Sequence, residues 1–174
     1  MNPELSFKKA MAADAERIAA LVNSGYRGDA SRAGWTTEAD YLVGKRTDAN
    51  EIRALIADPE AAILLCLAGD DVVGSVHLQR HQGAAYLGMF VVQPSLQGKG
   101  LGKRFLQAAE EFVKTKWRVA KVEMTVITLR DKLISYYERR GYRRTGVFKP
   151  FPIEDKRSTA LVENLQFEVL EKRL

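Results

Sequence analysis

Cysteine and histidine are nearly missing from this sequence. One Cys excludes a disulfide framework, and neither of the two histidines, His77 and His81, has a partner at metal-ligand spacing. Both read as strand-end or loop residues with surface or packing roles, and no metal is expected. Five Pro and 13 Gly exclude a collagen-like chain, and no low-complexity linker or internal repeat interrupts the pattern. Long apolar runs are missing too. The longest is Ala61–Ala68 (AAILLCLA), far short of the roughly 20 residues a membrane-spanning helix needs. Cys66 sits inside that run and reads as a buried, reduced thiol. Met1 to Phe7 carry no basic stretch followed by an apolar one, so no signal peptide is indicated and a cytoplasmic protein is expected.

What the chain does have is ordinary in amount and uneven in place. Its 174 residues fit one domain over 1–174, and 46% apolar with 28% charged residues excludes wholesale disorder. Lys and Arg number 27 against 22 Asp and Glu, a net +5 that at first suggests a polyanion such as nucleic acid. By segment, residues 1–96 carry 9 basic and 12 acidic side chains, 97–150 carry 14 and 5, and 151–174 carry 4 and 5. The excess is one +9 block. The −3 of the first segment is compatible with a cationic acceptor.

Periodicity and turn chemistry divide the chain into an α/β succession. Ser6–Ala10 reads as a strand. Asp14 can cap a helix with Ile18, Leu21 and Val22 on one face, ending near Gly25. A loop is expected from Tyr26 to Gly34 and a short helix from Thr36 or Thr37 through Leu42. Asp48-Ala-Asn-Glu51 resembles a capping box for a helix that Asp58-Pro59 ends. Ile63–Leu67 and Val72–Leu78 read as a hairpin, and Tyr86–Val92 as a third strand. An amphipathic helix spans Gly98–Lys116, followed by a strand Val122–Ile127 and a helix Asp131–Arg140 closed by Gly141. Tyr142–Val147 and Leu165–Leu170 make the last strands.

The chemistry concentrates where the third strand meets the long helix, at Phe90-Val-Val-Gln-Pro-Ser-Leu-Gln97-Gly98-Lys99-Gly100-Leu101-Gly102-Lys103. Glycines at alternate positions allow positive φ and close approach of a ligand. The first N–H groups of a helix lack intrahelical partners and carry the positive end of its dipole, which suits phosphate. Lys99, Lys103 and Arg104 add charge at the same end. A glycine-rich turn without a ligand remains open on spacing alone. A Walker A loop is excluded by the absence of GK[ST], and the glycine spacing does not fit the dinucleotide fingerprint.

Gln97-x-x-Gly100-x-Gly102, after a strand ending Val92-Gln-Pro94, resembles the acyl-CoA pyrophosphate loop of the GNAT N-acetyltransferase superfamily. Tyr137-Glu-Arg-Arg-Gly141-Tyr142 is similar to that family's Tyr-Glu-Lys-x-Gly-Phe helix end, and the order of elements agrees over nearly the whole chain. The resemblance implies a mixed, mostly antiparallel sheet flanked by helices, with a V-shaped split between the strands ending at Val92 and Ile127. It implies acetyl-CoA as cosubstrate in that split, with Gln97, Gly98, Lys99, Gly100, Leu101, Gly102, Lys103 and Arg104 around its pyrophosphate. Backbone groups of Phe90 and Val92 would hold the pantetheine arm, and a backbone N–H of Val91 or Val92 would face the oxyanion.

Transfer from a thioester to an amine needs a neutral amine, oxyanion stabilisation and a proton for the thiolate. A thiol has a pKa of about 8.5 and a tyrosine about 10, so a placed phenol can supply that proton. The motif register makes Tyr137 that acid or a contact of the CoA sulfur. Helical spacing alone makes both Tyr136 and Tyr137 packing residues. Glu123, on the strand facing the split, is the candidate base, with a solvated strand-end glutamate as the alternative. Arg130 stands where many members carry Asn, which leaves that position's role open. The acceptor would meet Tyr26, Trp35, Glu38 and Tyr41, though Trp35 and Tyr41 are equally read as packing, and Lys149-Pro-Phe-Pro152 would wall the mouth.

The function expected is transfer of an acetyl group from acetyl-CoA to a primary amine of a small molecule or peptide within a ternary complex. A non-catalytic acyl-CoA-binding module is the alternative. A nucleic-acid binder would need a recognisable motif, and none is present. No membrane partner is expected, and frequent dimers in the superfamily make a homodimer one implied partner.

Overall fold

The computed structural model describes residues 4–152 and 157–174. In chain order the elements are β1 (Leu5–Lys9), α1 (Ala15–Tyr26), α2 (Gly28–Ser31), β2 (Leu42–Gly44), α3 (Ala49–Ala57), β3 (Ala61–Ala68), β4 (Asp71–His81) and β5 (Ala84–Val92). There follow α4 (Leu101–Lys116), β6 (Lys121–Ile127), α5 (Asp131–Glu138), β7 (Arg143–Pro150), β8 (Ser158–Ala160) and β9 (Gln166–Arg173). Seven strands form one sheet in the order β1-β3-β4-β5-β6-β9-β7, and β2 with β8 forms a separate ribbon. Every pairing in the large sheet is antiparallel except β5 with β6.

Burial on both faces explains why β3 is apolar throughout. Leu64 and Cys66 pack toward α4 and α5 with Phe105, Ala109 and Ile134, while Ile63, Leu65 and Leu67 pack toward α1 and α3 with Ile18, Val22 and Ile52. Of the stripe that helical spacing predicts for α4, Leu101, Phe105, Ala109, Phe112 and Val113, the helix buries Phe105, Ala109 and Val113 and leaves Leu101 and Phe112 half-buried. Phe105 is fully buried, with its ring 5.9 Å from that of Phe7 and 5.5 Å from that of Phe90. At α3 the Asp48 carboxylate accepts from the Glu51 N–H at 2.9 Å, as a capping box requires. The reciprocal half is replaced, because Glu51 accepts from Thr47 Oγ1 and Arg157 instead.

The segment after α1 departs from expectation. Gly28–Ser31 is helical where a loop is expected, and the helix expected through Leu42 is absent. Leu42–Gly44 is a strand instead, because Ser158–Ala160 pairs with it and Leu42 is buried with Ile127 and Leu165. Helix α4 begins at Leu101 and not Gly98, since Gly98 and Gly100 both sit at φ +78. His77 lies inside β4, edge-on to Tyr86. Among the described residues no helix is long and apolar enough to cross a membrane.

Removing the Phe105 ring leaves a hole between α4 and the rings of Phe7 on β1 and Phe90 on β5. Phe105→Ala should cost about 3–5 kcal/mol of unfolding free energy, measured by denaturant titration.

Candidate functional site

Strands β5 and β6 pair only at Ala85–Val122 and Tyr86–Glu123, then diverge. The divergence follows an irregularity in β5. Its register with β4 shifts between Ser75 and His77, and Met89 takes a φ of +45 there. Beyond this bulge Gln93 donates to the Val73 carbonyl of β4, so alternation turns the peptide groups of Phe90 and Val92 to the open side. There the Phe90 carbonyl accepts from Tyr26 Oη at 3.0 Å and the Val92 carbonyl from Gln97 Nε2 at 3.0 Å. The expected split is present, and its edge carries oriented backbone groups.

Two cavities open from it. The first, about 320 Å³, lies between the glycine loop, α5 and the chain at Trp35 and Thr36. Of the residues expected around the cofactor, Phe90, Val91, Val92 and Tyr137 line it from the strand and helix. Gln97, Gly98, Gly100, Gly102 and Lys103 line it from the loop. Lys99, Leu101 and Arg104 do not. Leu101 packs on the core, and Lys99 and Arg104 are exposed beside the loop. Side chains at Gly98 and Gly100 would project into open space, so their positive φ, and not crowding, is what calls for glycine. Gln97 also accepts from the Trp35 N–H at 3.1 Å, which ties the loop to the acceptor-side segment.

Arg139 and Arg140, which sequence reasoning does not single out, line this cavity, as do Arg130, whose role it leaves open, and Tyr136, which it reads as packing. The signal was available: Tyr136 and Arg140 lie at i, i+4, on one face of α5 and its C-terminal turn. The Arg140 guanidinium sits 3.4 Å above the Tyr136 ring, and Trp35 packs on the same tyrosine at 5.3 Å. Lys103, Arg130, Arg139 and Arg140 thus face a cavity to which no acidic side chain contributes among the described residues. The donor set fits a pyrophosphate, with guanidinium, ammonium and the first amides of α4 at one end.

The second cavity, about 250 Å³, runs from the same split toward the β2–β8 ribbon. Tyr26, Phe90, Arg130, Leu133 and Tyr137 line both and form the wall between them. Glu38 lies in the second cavity, buried, accepting from Arg27 Nε and Arg130 Nη1, each at 3.2 Å. Arg130, in place of the family's frequent Asn, also donates to Thr36 and so clamps the chain at 36–38 onto the start of α5. Trp35 lines only the first cavity. Tyr41 lines neither; it packs on the cluster around Leu42 and Ile127, with its hydroxyl toward the Leu129 carbonyl. Neither of these two expected acceptor residues lines the second cavity, and both pack as the alternative reading has it; for Tyr41 the strand that replaces the expected helix is the reason.

Glu123 also departs from expectation. It pairs with Tyr86 where the strands are still joined, lines neither cavity, and is held by Lys121 at 2.9 Å. Tyr137 and Tyr136 separate cleanly. Tyr137 is buried in the wall between the cavities, edge-on to Tyr142, whose hydroxyl donates to Glu110 at 3.0 Å. Burial pushes the Tyr137 phenol well above its usual range, with the neighbouring Tyr26 adding to the effect. Burial likewise pushes Tyr26 up to about 12, with Glu38 adding and Arg46 and Arg130 opposing.

The family profile described as Acetyltransferase (GNAT) family matches residues 18–142. The chain belongs to this family, whose members are acetyltransferases. A search of curated proteins gives no match. Among solved structures it is similar to an IAA acetyltransferase from Bacillus cereus (15% identity, TM-score 0.67, 98% of this chain and 100% of that one). It is also similar to the ribosomal-protein-S18-alanine N-acetyltransferase from Escherichia coli (13%, 0.70, 98% and 94%). A third is a spermidine/spermine N-acetyltransferase from Vibrio cholerae (16%, 0.68, 98% and 92%). At these identities the likeness is one of fold.

Tyr26 stays protonated in the folded protein to about pH 12 but ionises near its ordinary 10.0 when unfolded. Between those values the unfolded chain binds fewer protons, so stability present below pH 10 falls as pH rises. Burial also raises the Cys66 thiol from 9.0 to about 11, so denaturation midpoints at pH 8, 10 and 11.5 should fall progressively above pH 9, and Tyr26→Phe should make the part of the fall above pH 10 shallower.

Proposed function

We propose that the protein transfers an acetyl group from acetyl-CoA to a primary amine of a small molecule or peptide, by direct attack in a ternary complex. The observation that carries this reading is the shared wall: an all-cationic, glycine-lined cavity meets a second cavity at an unpaired strand edge, with Tyr137 between them. A cytoplasmic setting suits the one thiol, Cys66, which is buried and unpaired.

Bound acetyl-CoA supplies a thioester carbonyl and a thiolate leaving group. Lys103, Arg139, Arg140 and the first amides of α4 bind its pyrophosphate. The peptide groups of Phe90 and Val92 pair with the pantetheine arm as an added strand would. A neutral amine in the second cavity attacks the acetyl carbon; the C–N bond forms and the C–S bond breaks. The Val92 N–H, on the open side of β5, is the oxyanion donor of this reading; alternation turns that of Val91 toward β4.

Burial alters the part expected of Tyr137. Burial favours the neutral phenol, so the role that suits Tyr137 is that of a hydrogen-bond donor. Tyr137 keeps the proton and donates a hydrogen bond to the departing sulfur, which then protonates from solvent. Among the described residues no side chain in the second cavity is an available base, because Glu38 is committed to Arg27 and Arg130. The amine therefore loses its proton to water, before attack and again after it.

Two measurements test this. Thiol release from acetyl-CoA over an amine panel should fall about 10–100-fold in kcat for Tyr137→Phe, the scale of one hydrogen bond to a charged group, with acetyl-CoA affinity within a few-fold. Retained binding with no turnover on any amine would favour the acyl-CoA-binding module. The pH profile of kcat/KM should rise with slope one up to the acceptor's own amine pKa, and Glu123→Gln should leave that profile in place. An additional limb that disappears in Glu123→Gln would restore Glu123 as the base.

A further inference from the structure

The second cavity has a charge opposite to the one the first 96 residues suggest. Their net −3 points to a cationic acceptor, yet among the described residues the charged side chains lining the cavity are Arg27, Arg46, Arg130 and one acid, Glu38. Glu38 is shared between Arg27 and Arg130, which are buried and act as parts of the wall. Arg46 is different. Among the described residues it has no carboxylate partner, and its guanidinium lies 5.9 Å from the centroid of the Tyr26 ring.

Tyr26 gives the cavity a direction. Its hydroxyl is bonded to the Phe90 carbonyl, at the split where the thioester of the proposed reaction lies, and its ring lies beside Arg46. One tyrosine side chain thus spans the distance between the reacting end and a cation without an acid. Leu87, Met89, Ile127, Phe151 and Phe167 give it an apolar surface, beside the uncharged polar groups of Tyr86, Thr125 and Ser158. The volume, about 250 Å³, is below the roughly 300–1,000 Å³ usual for drug-sized ligands. Among the described residues, a polyamine entering this space would meet more cations than acids, and the one carboxylate, Glu38, is already shared between Arg27 and Arg130. A carboxylate would meet a planar, bidentate donor of matching geometry.

We propose that the acceptor is a small amine that also carries a carboxylate, an amino acid or close analogue with an apolar side chain, its carboxylate held by Arg46 and its amine at the split. This rests on the acetyl-transfer reading and adds the substrate class. Arg46 acts as a specificity residue and takes no part in bond making.

The test compares leucine, methionine and phenylalanine with their amides and with the corresponding decarboxylated amines, plus spermidine, using acetyl-CoA and thiol release. Rates are referred to the concentration of neutral amine. Each amino acid should exceed its amide and its decarboxylated amine in kcat/KM by about tenfold or more, the scale of one charge-assisted hydrogen-bonded pair. In Arg46→Gln that preference should fall by about tenfold or more, mainly through KM. Equal or better turnover of spermidine or the decarboxylated amines, or a preference unchanged in Arg46→Gln, overturns the proposal.

A binding arm separates this from failure of the catalytic reading. With CoA present, calorimetry of N-acetylleucine against N-(3-methylbutyl)acetamide should favour the carboxylate, and Arg46→Gln should remove the difference. That result without turnover of any amine upholds the carboxylate site and rejects the enzyme. Absence of an Arg46-dependent difference rejects the site, whatever the enzyme does.

Discussion

Strands β5 and β6 share two residue pairs, Ala85 with Val122 and Tyr86 with Glu123, and the ladder ends at Tyr86, just before Met89 turns to positive φ. A non-glycine residue in that conformation costs about 1–2 kcal/mol, and the bulge it forms is what lets β5 stay bonded to β4 while leaving β6. If the pairing ran on, the peptide groups of Phe90 and Val92 would be consumed by the ladder. Tyr137 would then have no gap to stand in, and the two cavities would close. The local distortion of one strand therefore governs the whole arrangement: Tyr26 and Gln97 bond to carbonyls that only the divergence exposes, and α5 packs where the missing pairing leaves room.

The charge of the chain is distributed in keeping with this. Of the basic block after Gln97, Lys103, Arg130, Arg139 and Arg140 turn into the first cavity. Lys114, Lys116 and Arg118 are exposed near the far end of α4, and Arg143 and Arg144 pair with Glu171 and Glu168. The sequence total of +5 is the residue of three different uses. A cavity lined by cations, solvated helix ends and strand-edge ion pairs all contribute to it, and only the first bears on the proposed cofactor site.

Much of the fold was legible because its signals are local. The double-sided burial of β3 makes Ala61–Ala68 apolar without a break, the stripe of α4 repeats at helical spacing, and Asp48 caps α3 through its own near neighbours. The segment from Thr36 to Gly44 was not, because its conformation is set by Ser158–Ala160, far along the chain, and by the Arg27–Glu38–Arg130 cluster. The site divides in the same way. The glycine loop is contiguous and readable; Tyr137 is told from Tyr136 by motif register alone, since both satisfy the helical spacing. Glu123 misled because position on the right strand does not say how far along it the gap begins. Arg27, Arg46 and Arg130 converge only in three dimensions, and a segment's net charge averages over side chains that never meet.

The split has one more consequence, for solubility. An unpaired strand edge on a protein surface is a template for another chain, and soluble proteins usually guard such edges with charge, proline or a covering element. Here the unpaired stretch of β5 lies in the middle of a seven-stranded sheet, flanked by β4 and β6 and overlain by Tyr26 and Gln97. A foreign β-strand, with side chains on both faces, does not fit between walls built by α1 and α5. A single unbranched chain does. The fold thus holds an aggregation-prone edge in the one place where only a slender ligand can pair with it.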